Sequence, residues 1–311
     1  MRAETLLRLP ILESQSFHAL DADVTVVAPG ASAREAGSVV RALFEAWETT
    51  LGRFRPGSEL SRLNRSGGRT TPVSPLLFQV VEEAIAAART SGGIFDPTLG
   101  VSVRRLGYDR PWGEMRLSGP SLRRPVRPGG RFRDVRLSRA QGAITLPFGV
   151  ELDLGGIARG MALDAALAVL EASGFTPALI DTGSEAAATS PPPGGGFWTI
   201  RSGSSPDILV PLRRGALATS SILRRHWVRG GFGLHHIVDP RTGLPACSGV
   251  LSATVAARSA AQAEVAAKCV VVLGPEAGRN FLRSRNLSAL VLTDEGEASV
   301  GPFPRSPVHP V

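Results

Sequence analysis

Strand-forming segments in this chain come in clusters, and amphipathic helices are inserted between the clusters instead of alternating with single strands. A parallel, doubly wound sheet needs regular strand–helix–strand alternation, because each crossover uses a helix. That rhythm is missing, so the expected class is α+β, with mostly antiparallel sheets and helices packed on them. Residues 22–28 (ADVTVVA) alternate as a strand, and Val39, Val40, Leu43, Phe44 and Trp47 give residues 31–51 the spacing of an amphipathic helix. Helices are also expected over 75–89, 157–172 and 260–273, the second closed by Gly174. Residues 178–180, 198–201, 208–212, 237–238, 250–256 and 288–292 read as strands, and 131–135 with 143–146 as a hairpin.

With 311 residues, 43% hydrophobic and 20% charged, the chain can bury a sizeable core and matches neither disordered nor collagen-like composition. No repeat or linker divides it, so one unit with two lobes is expected over 1–311, with a loose proline-rich tail at 302–311. There is no run of about 18 apolar residues to span a membrane. Residues 1–20 contain Glu4, Glu13 and a proline and build no signal-peptide core, so the expectation is a cytoplasmic protein. Cys247 and Cys269 form no Cys-x-x-Cys and cannot build a disulfide framework, leaving oxygen and imidazole as the ligands for any metal.

The formal charge of +8 is concentrated. Eleven arginines fall between Arg104 and Arg139 against Asp109, Glu114 and Asp134, in a stretch (104–139) broken by prolines and glycines. It reads as a solvated loop or as an anion-attracting rim; only Tyr108, Trp112 and Phe132 are there to stack on bases, so nucleic acid is not expected as a partner. Lys268 is the only lysine among 35 basic residues.

Nucleotide P-loop, dinucleotide-fold, nucleophile-elbow and zinc-protease signatures are all absent. Five polar features remain. In Asp153-Leu154-Gly155-Gly156-Ile157-Ala158-Arg159-Gly160 a strand runs through glycines into a helix; this suits a phosphate with Arg159 as a donor fork, or a tight turn with Asp153 as the cap. Phe95-Asp96-Pro97-Thr98 is a rigid turn presenting a carboxylate. In His235-His236, adjacent histidines on extended backbone point to opposite faces, so one can enter a site, and the Asp239-Pro240-Arg241-Thr242-Gly243 turn follows. Ala218-Thr219-Ser220-Ser221 reads as an N-cap before a helical stretch. Glu264 and Lys268 share a helix face at i, i+4, as a surface ion pair or as part of a site.

In this order, and with Phe54-Arg55-Pro56-Gly57-Ser58-Glu59-Leu60-Ser61-Arg62-Leu63-Asn64 added, these blocks resemble the ApbE family, the FAD:protein FMN transferases. The resemblance runs from Phe17 to about Val300. It implies a two-lobed α+β domain that binds FAD in a cleft and moves FMN onto a Thr or Ser hydroxyl of an acceptor protein, releasing AMP and using Mg²⁺. Carried over residue by residue, it has Leu20, Phe54, Ile94, Phe95, Asp96, Asp153, Arg159 and Ile237 lining the flavin and adenosine pockets. His236 would be the base, and Gly156, through its carbonyl, and Glu264 would face the metal.

The chain departs from the family pattern at several of these places. Leu20-Asp21-Ala22 stands for Met-Gly-Thr, Arg159 for a common Lys or Glu, and Gly183-Ser184-Glu185 for Gly-Gly-Asp. Glu264 and Lys268 stand where the family has an Asp and a Thr that ligate the metal. A protonated ammonium does not ligate Mg²⁺, so Lys268 is expected to assist or replace the ion, with slower transfer. Alternatives are a non-catalytic FAD-binding relative and an anion- or nucleic-acid-binding module built on 104–139.

Overall fold

A computed structural model describes residues 11–122, 126–202, 208–303 and 306–307. β1 (Leu12–Ala19) and β2 (Ala22–Pro29) form a hairpin leading into α1 (Gly30–Leu51), and Ser58 caps the short α2 (Glu59–Asn64). β3 (Thr70–Pro72), α3 (Pro75–Thr90) and α4 (Gly100–Arg105) follow, then β4 (Arg136–Ser138) and β5 (Ala143–Thr145). α5 (Ala158–Ala172) precedes β6 (Leu179–Asp181), β7 (Glu185–Ala188), β8 (Trp198–Arg201) and β9 (Ile208–Leu212). Next come β10 (Gly215–Ser221), the hairpin of β11 (His226–Arg229) and β12 (Phe232–His235), and β13 (Val250–Ala257). α6 (Ala260–Leu273), α7 (Pro275–Arg283), β14 (Ser288–Thr293), β15 (Gly296–Val300) and β16 (Ser306–Pro307) close the order.

Eight strands make one sheet in the order β1-β2-β6-β7-β10-β13-β14-β15, and every pairing in it is antiparallel. The chain therefore has the expected α+β architecture. Alternation along the strands divides the core: Ala187 and Ala216 join a cluster with α1, α3 and α5, while Ala186, Ala188 and Leu217 pack with β8 and β9. A smaller cluster, with Leu99, Leu106, Tyr108, Trp227 and Leu234, attaches the β11–β12 hairpin to α4 and the segment after it.

Several local expectations change. Residues 131–134 form a 3-10 turn that buries Phe132, and the strand of the expected hairpin starts only at Arg136. Residues 237–238 make a single bridge, Val238 to Pro245, because the turn at Asp239 ends the pairing. Thr219, Ser220 and Ser221 belong to β10 and cap no helix, since β13 pairs with all three. Of the expected tail, Ser306–Pro307 pair with Leu209 and Ile208, and 304–305 and 308–311 lie outside the described residues. Residues 1–10 and 123–125 do so as well. Among the described residues no helix is long and apolar enough to cross a membrane.

α5 and α6 cross at Gly160. A Cβ built there would lie 2.6 Å from backbone atoms of Ala260 and Ala261, so only glycine allows this approach. Asp164 on α5 accepts from the N–H groups of Ala260 (2.7 Å) and Ala261 (3.0 Å), satisfying the start of α6 from outside it. Gly160→Ala should cost about 1–3 kcal/mol by overpacking, read as a lower urea midpoint with an unchanged slope. An unchanged midpoint would show that the crossing yields without cost.

Candidate active site

The β1–β2 turn is made by Leu20 (φ 53°) and Asp21 (φ 58°), both left-handed, as a two-residue hairpin with the right twist requires. Neither is glycine, so the turn stores about 1 kcal/mol or more of strain at each position. Its hydrogen bonds hold it: Leu20 N–H donates to Glu48 (3.3 Å), and Arg225 donates to the Asp21 carbonyl (2.9 Å) and pairs with its carboxylate (3.1 Å). Tyr108 also donates to that carboxylate (3.3 Å) and receives a hydrogen bond from Arg225 (2.9 Å). Arg53 sits over both the Phe54 and Tyr108 rings, 4.0 and 4.4 Å from their centroids, and reaches Asp153 at 3.7 Å.

Asp153 ends the approach to α5 by accepting from Gly155 N–H (2.8 Å), so it closes a turn and does not cap the helix. Burial alone would raise its pKa; Arg53, Lys268 and the Gly155 N–H outweigh that and hold the carboxyl below its ordinary value. A phosphate was one expectation for the α5 N-terminus. The chain instead places a carboxylate of its own there: Gly160 N–H donates to Glu264 (2.9 Å), which is buried and no surface ion pair. Burial and the nearby Glu185 push the Glu264 pKa up to about 7 against the pull of Arg159 and Lys268. Arg159 is engaged by Glu185 (3.0 Å), so its fork does not point freely at a ligand.

One turn beyond Glu264, Lys268 lies against Gly156, where a Cβ would overlap its Nζ. Among the described residues no hydrogen bond or ion pair holds this ammonium. The two histidines diverge as their backbone predicts. His235 is tied to the Ala246 carbonyl (3.0 Å), while His236 lines the cavity with its Nδ1 buried and without a hydrogen-bond partner. The Tyr108 ring meets the His236 ring edge-on, centroids 6.4 Å apart. Burial, then Lys268 and Arg225, hold the His236 pKa well below the usual imidazole value.

These groups surround two joined hollows of about 410 Å³ and about 260 Å³. The larger is lined by Leu20, Leu51, Phe54, Leu60, Tyr108, Asp153 and Leu154 among others; both share Asp21, Gly155, Arg159, Arg225, His236 and Lys268. Of the residues expected from sequence, Leu20, Phe54, Asp153, Arg159, His236, Glu264 and Lys268 line these hollows, and Gly156 lies directly under Lys268. Ile94, Phe95, Asp96 and Ile237 do not line them. Phe95 and Ile237 are core residues, Ile94 packs on the core, and Asp96 accepts from Thr98 N–H (2.8 Å), Thr98 Oγ1 (2.6 Å) and Gly130 N–H. Sequence reasoning passed over Arg53 and Arg225, met Asp21 only as a departure from the family pattern, and met Tyr108, the only tyrosine of the chain, only as an aromatic of the basic segment.

The ApbE family profile matches residues 20–291. The chain belongs to the ApbE family. Among ApbE relatives, the FAD:protein FMN transferase of Treponema pallidum is 30% identical over 283 residues, 82% of this chain and 76% of that protein. The protein of the same name from Rhodobacter capsulatus is 31% identical over 293 residues; the match takes in 91% of this chain but 55% of that longer protein. The ApbE fold is shared with the solved ApbE protein of Thermotoga maritima, with TM-score 0.79, 24% identity and 93% and 96% of the two chains covered. The apo flavinyl transferase ApbE of Pseudomonas stutzeri also gives TM-score 0.79, at 22% identity, over 94% and 95%.

A divalent cation does not fit the residues that the ApbE resemblance assigns to it. Glu264 already accepts from Gly160 N–H, and the Lys268 ammonium covers Gly156. Among the described residues no three His, Cys, Asp or Glu side chains gather to hold a metal. Within the described part of segment 104–139, Arg104 pairs with Glu151, Arg110 with Asp109, Arg131 with Asp134 and Arg139 with Glu82.

The His236 imidazole sets a pH dependence. In the unfolded chain His236 titrates near the ordinary value of about 6.5; folded, its pKa is lower. Between those two values the unfolded state holds a proton that the folded state lacks. Stability therefore falls as pH drops through that window, by at most about 1.4 kcal/mol per pH unit, and this contribution is constant above it. His236→Gln should flatten the slope of urea stability between pH 7 and pH 5, and an identical slope in wild type and variant would contradict it.

Proposed function

We propose that this chain transfers FMN from FAD to a Thr or Ser hydroxyl of an acceptor protein, with AMP as the leaving group. The observation that carries this reading is the buried, unpartnered His236 Nδ1 beside an uncommitted ammonium in a cavity walled by aromatic rings. The acceptor oxygen bonds to the FMN-side phosphorus, and the bridging P–O bond breaks, leaving its electron pair on AMP. The hydroxyl proton passes to His236, which its low pKa keeps in the neutral form that can accept one. Arg53, Phe54 and Tyr108 offer flat faces to the flavin or adenine ring, and Leu20 and Asp153 border the same hollow.

A pyrophosphate needs positive charge where its oxygens sit. Mg²⁺ is the ion implied by the family resemblance; in this chain Lys268 stands in its place as a built-in monovalent cation, supported by Arg225. One charge neutralises less than two, so transfer is slow compared with a metal-assisted reaction. The same substitution favours a second reading, an FAD-binding relative without turnover.

Incubation with FAD and a Ser/Thr-bearing candidate acceptor tests both. The transferase reading expects AMP release together with a covalently flavinylated acceptor. Tight FAD binding with no AMP at any Mg²⁺ concentration selects the second reading.

A further inference from the structure

We propose that the smaller hollow is the port for the acceptor, admitting its Ser- or Thr-bearing segment while the dinucleotide fills the larger one; this rests on the FMN-transfer reading. The two spaces differ in chemistry. Phe54, Tyr108, Leu51 and Leu60 face the larger, whereas Thr182, Ser184, Thr219, Ser220 and Ser221 face the smaller. Rings suit the first lining and a short polar side chain suits the second.

Strand register explains why the hydroxyls are there. β7 begins at Glu185, opposite Ala218, while β10 continues through Thr219, Ser220 and Ser221, paired only with β13 on its other side. Beyond one bond from Thr219 N–H to the Ser184 carbonyl (2.7 Å), that stretch has no strand beside it, and the hollow takes the place of one. Ser220 makes no side-chain hydrogen bond among the described residues.

Position gives the second argument. In-line displacement at phosphorus needs the incoming oxygen opposite the departing one. His236 and Lys268 belong to both hollows, at their junction. A donor lying in the larger hollow with its phosphates at Lys268 is thus met from the smaller one, and the incoming hydroxyl passes its proton to the His236 imidazole as its oxygen bonds to phosphorus and AMP departs. At about 260 Å³ the port takes a residue from an exposed loop or tail and excludes a folded surface.

Alkylation of introduced thiols by iodoacetamide, followed by mass spectrometry, tests this without knowing the acceptor. Cys247→Ser removes the exposed native thiol, and Cys269 is buried. On that background Arg55→Cys, at a half-exposed position in the lining of the larger hollow, should be slowed at least about tenfold by saturating FAD, and Ser220→Cys less than about twofold. Ser184→Cys, lining the same hollow, gives the equivalent reading should Ser220→Cys fail to fold. Equal protection of the two hollows would mean that FAD occupies both, and the proposal falls. Absence of FAD binding to wild type, measured by flavin fluorescence, is a distinct result that removes the transfer reading and the port with it.

Discussion

His236→Gln should lower the rate of FMN transfer by about 10²–10⁴-fold while FAD affinity stays within about threefold. The imidazole is the group placed to take the acceptor proton, since it lines both hollows beside Lys268. Glutamine keeps a polar side chain in the cavity but cannot accept a proton near neutral pH. Single-turnover AMP release gives the chemical step, and quenching of flavin fluorescence gives the binding. A rate within threefold of wild type would place the base elsewhere; a parallel loss of affinity would make His236 a binding group instead.

The second large effect is expected at Lys268. Lys268→Met keeps the length and apolar stem of the side chain and removes its charge, and should weaken FAD binding by about 10–100-fold, the worth of about 1.5–3 kcal/mol for a hydrogen bond to a charged group. Wild-type affinity should be the same within about twofold in excess EDTA or millimolar Mg²⁺, because the ammonium already occupies the position over Gly156. Lys268→Thr, the residue expected there from the family resemblance, should acquire a response to Mg²⁺. Release of FAD from wild type by EDTA, or full affinity in Lys268→Met, would reject the substitution of a lysine for the ion.

Much of the scaffold was legible because helices write their period directly. Val40, Phe44 and Trp47, read from the spacing of α1, are buried along it together with Ala33, Ala36 and Leu51, while Val39 and Leu43 are only half-buried. β1 escaped notice because Leu12, Glu13, Ser14, Gln15 and Ser16 are only partly covered, so an edge strand carries little apolar alternation. Thr219-Ser220-Ser221 misled for a different reason: the hydroxyls that make good caps also sit well in strands, and only pairing with β13 decides between them. In the site, His236 and Asp153 were visible as polar residues at element boundaries, and Lys268 as the only lysine of the chain. Arg53, Tyr108 and Arg225 were not, because their meaning lies in contacts across 55 to 117 positions of chain.

The touching backbones at Gly160 have a consequence for how the pocket greets its guest. With α5 and α6 locked together there and clasped again through Asp164, the interval between the glycine turn and the ammonium is fixed when the protein folds. The positive charge is thus already aimed before any phosphate arrives, and little rearrangement of water or protein dipoles is left for the moment of encounter. Such a floor trades adaptability for readiness.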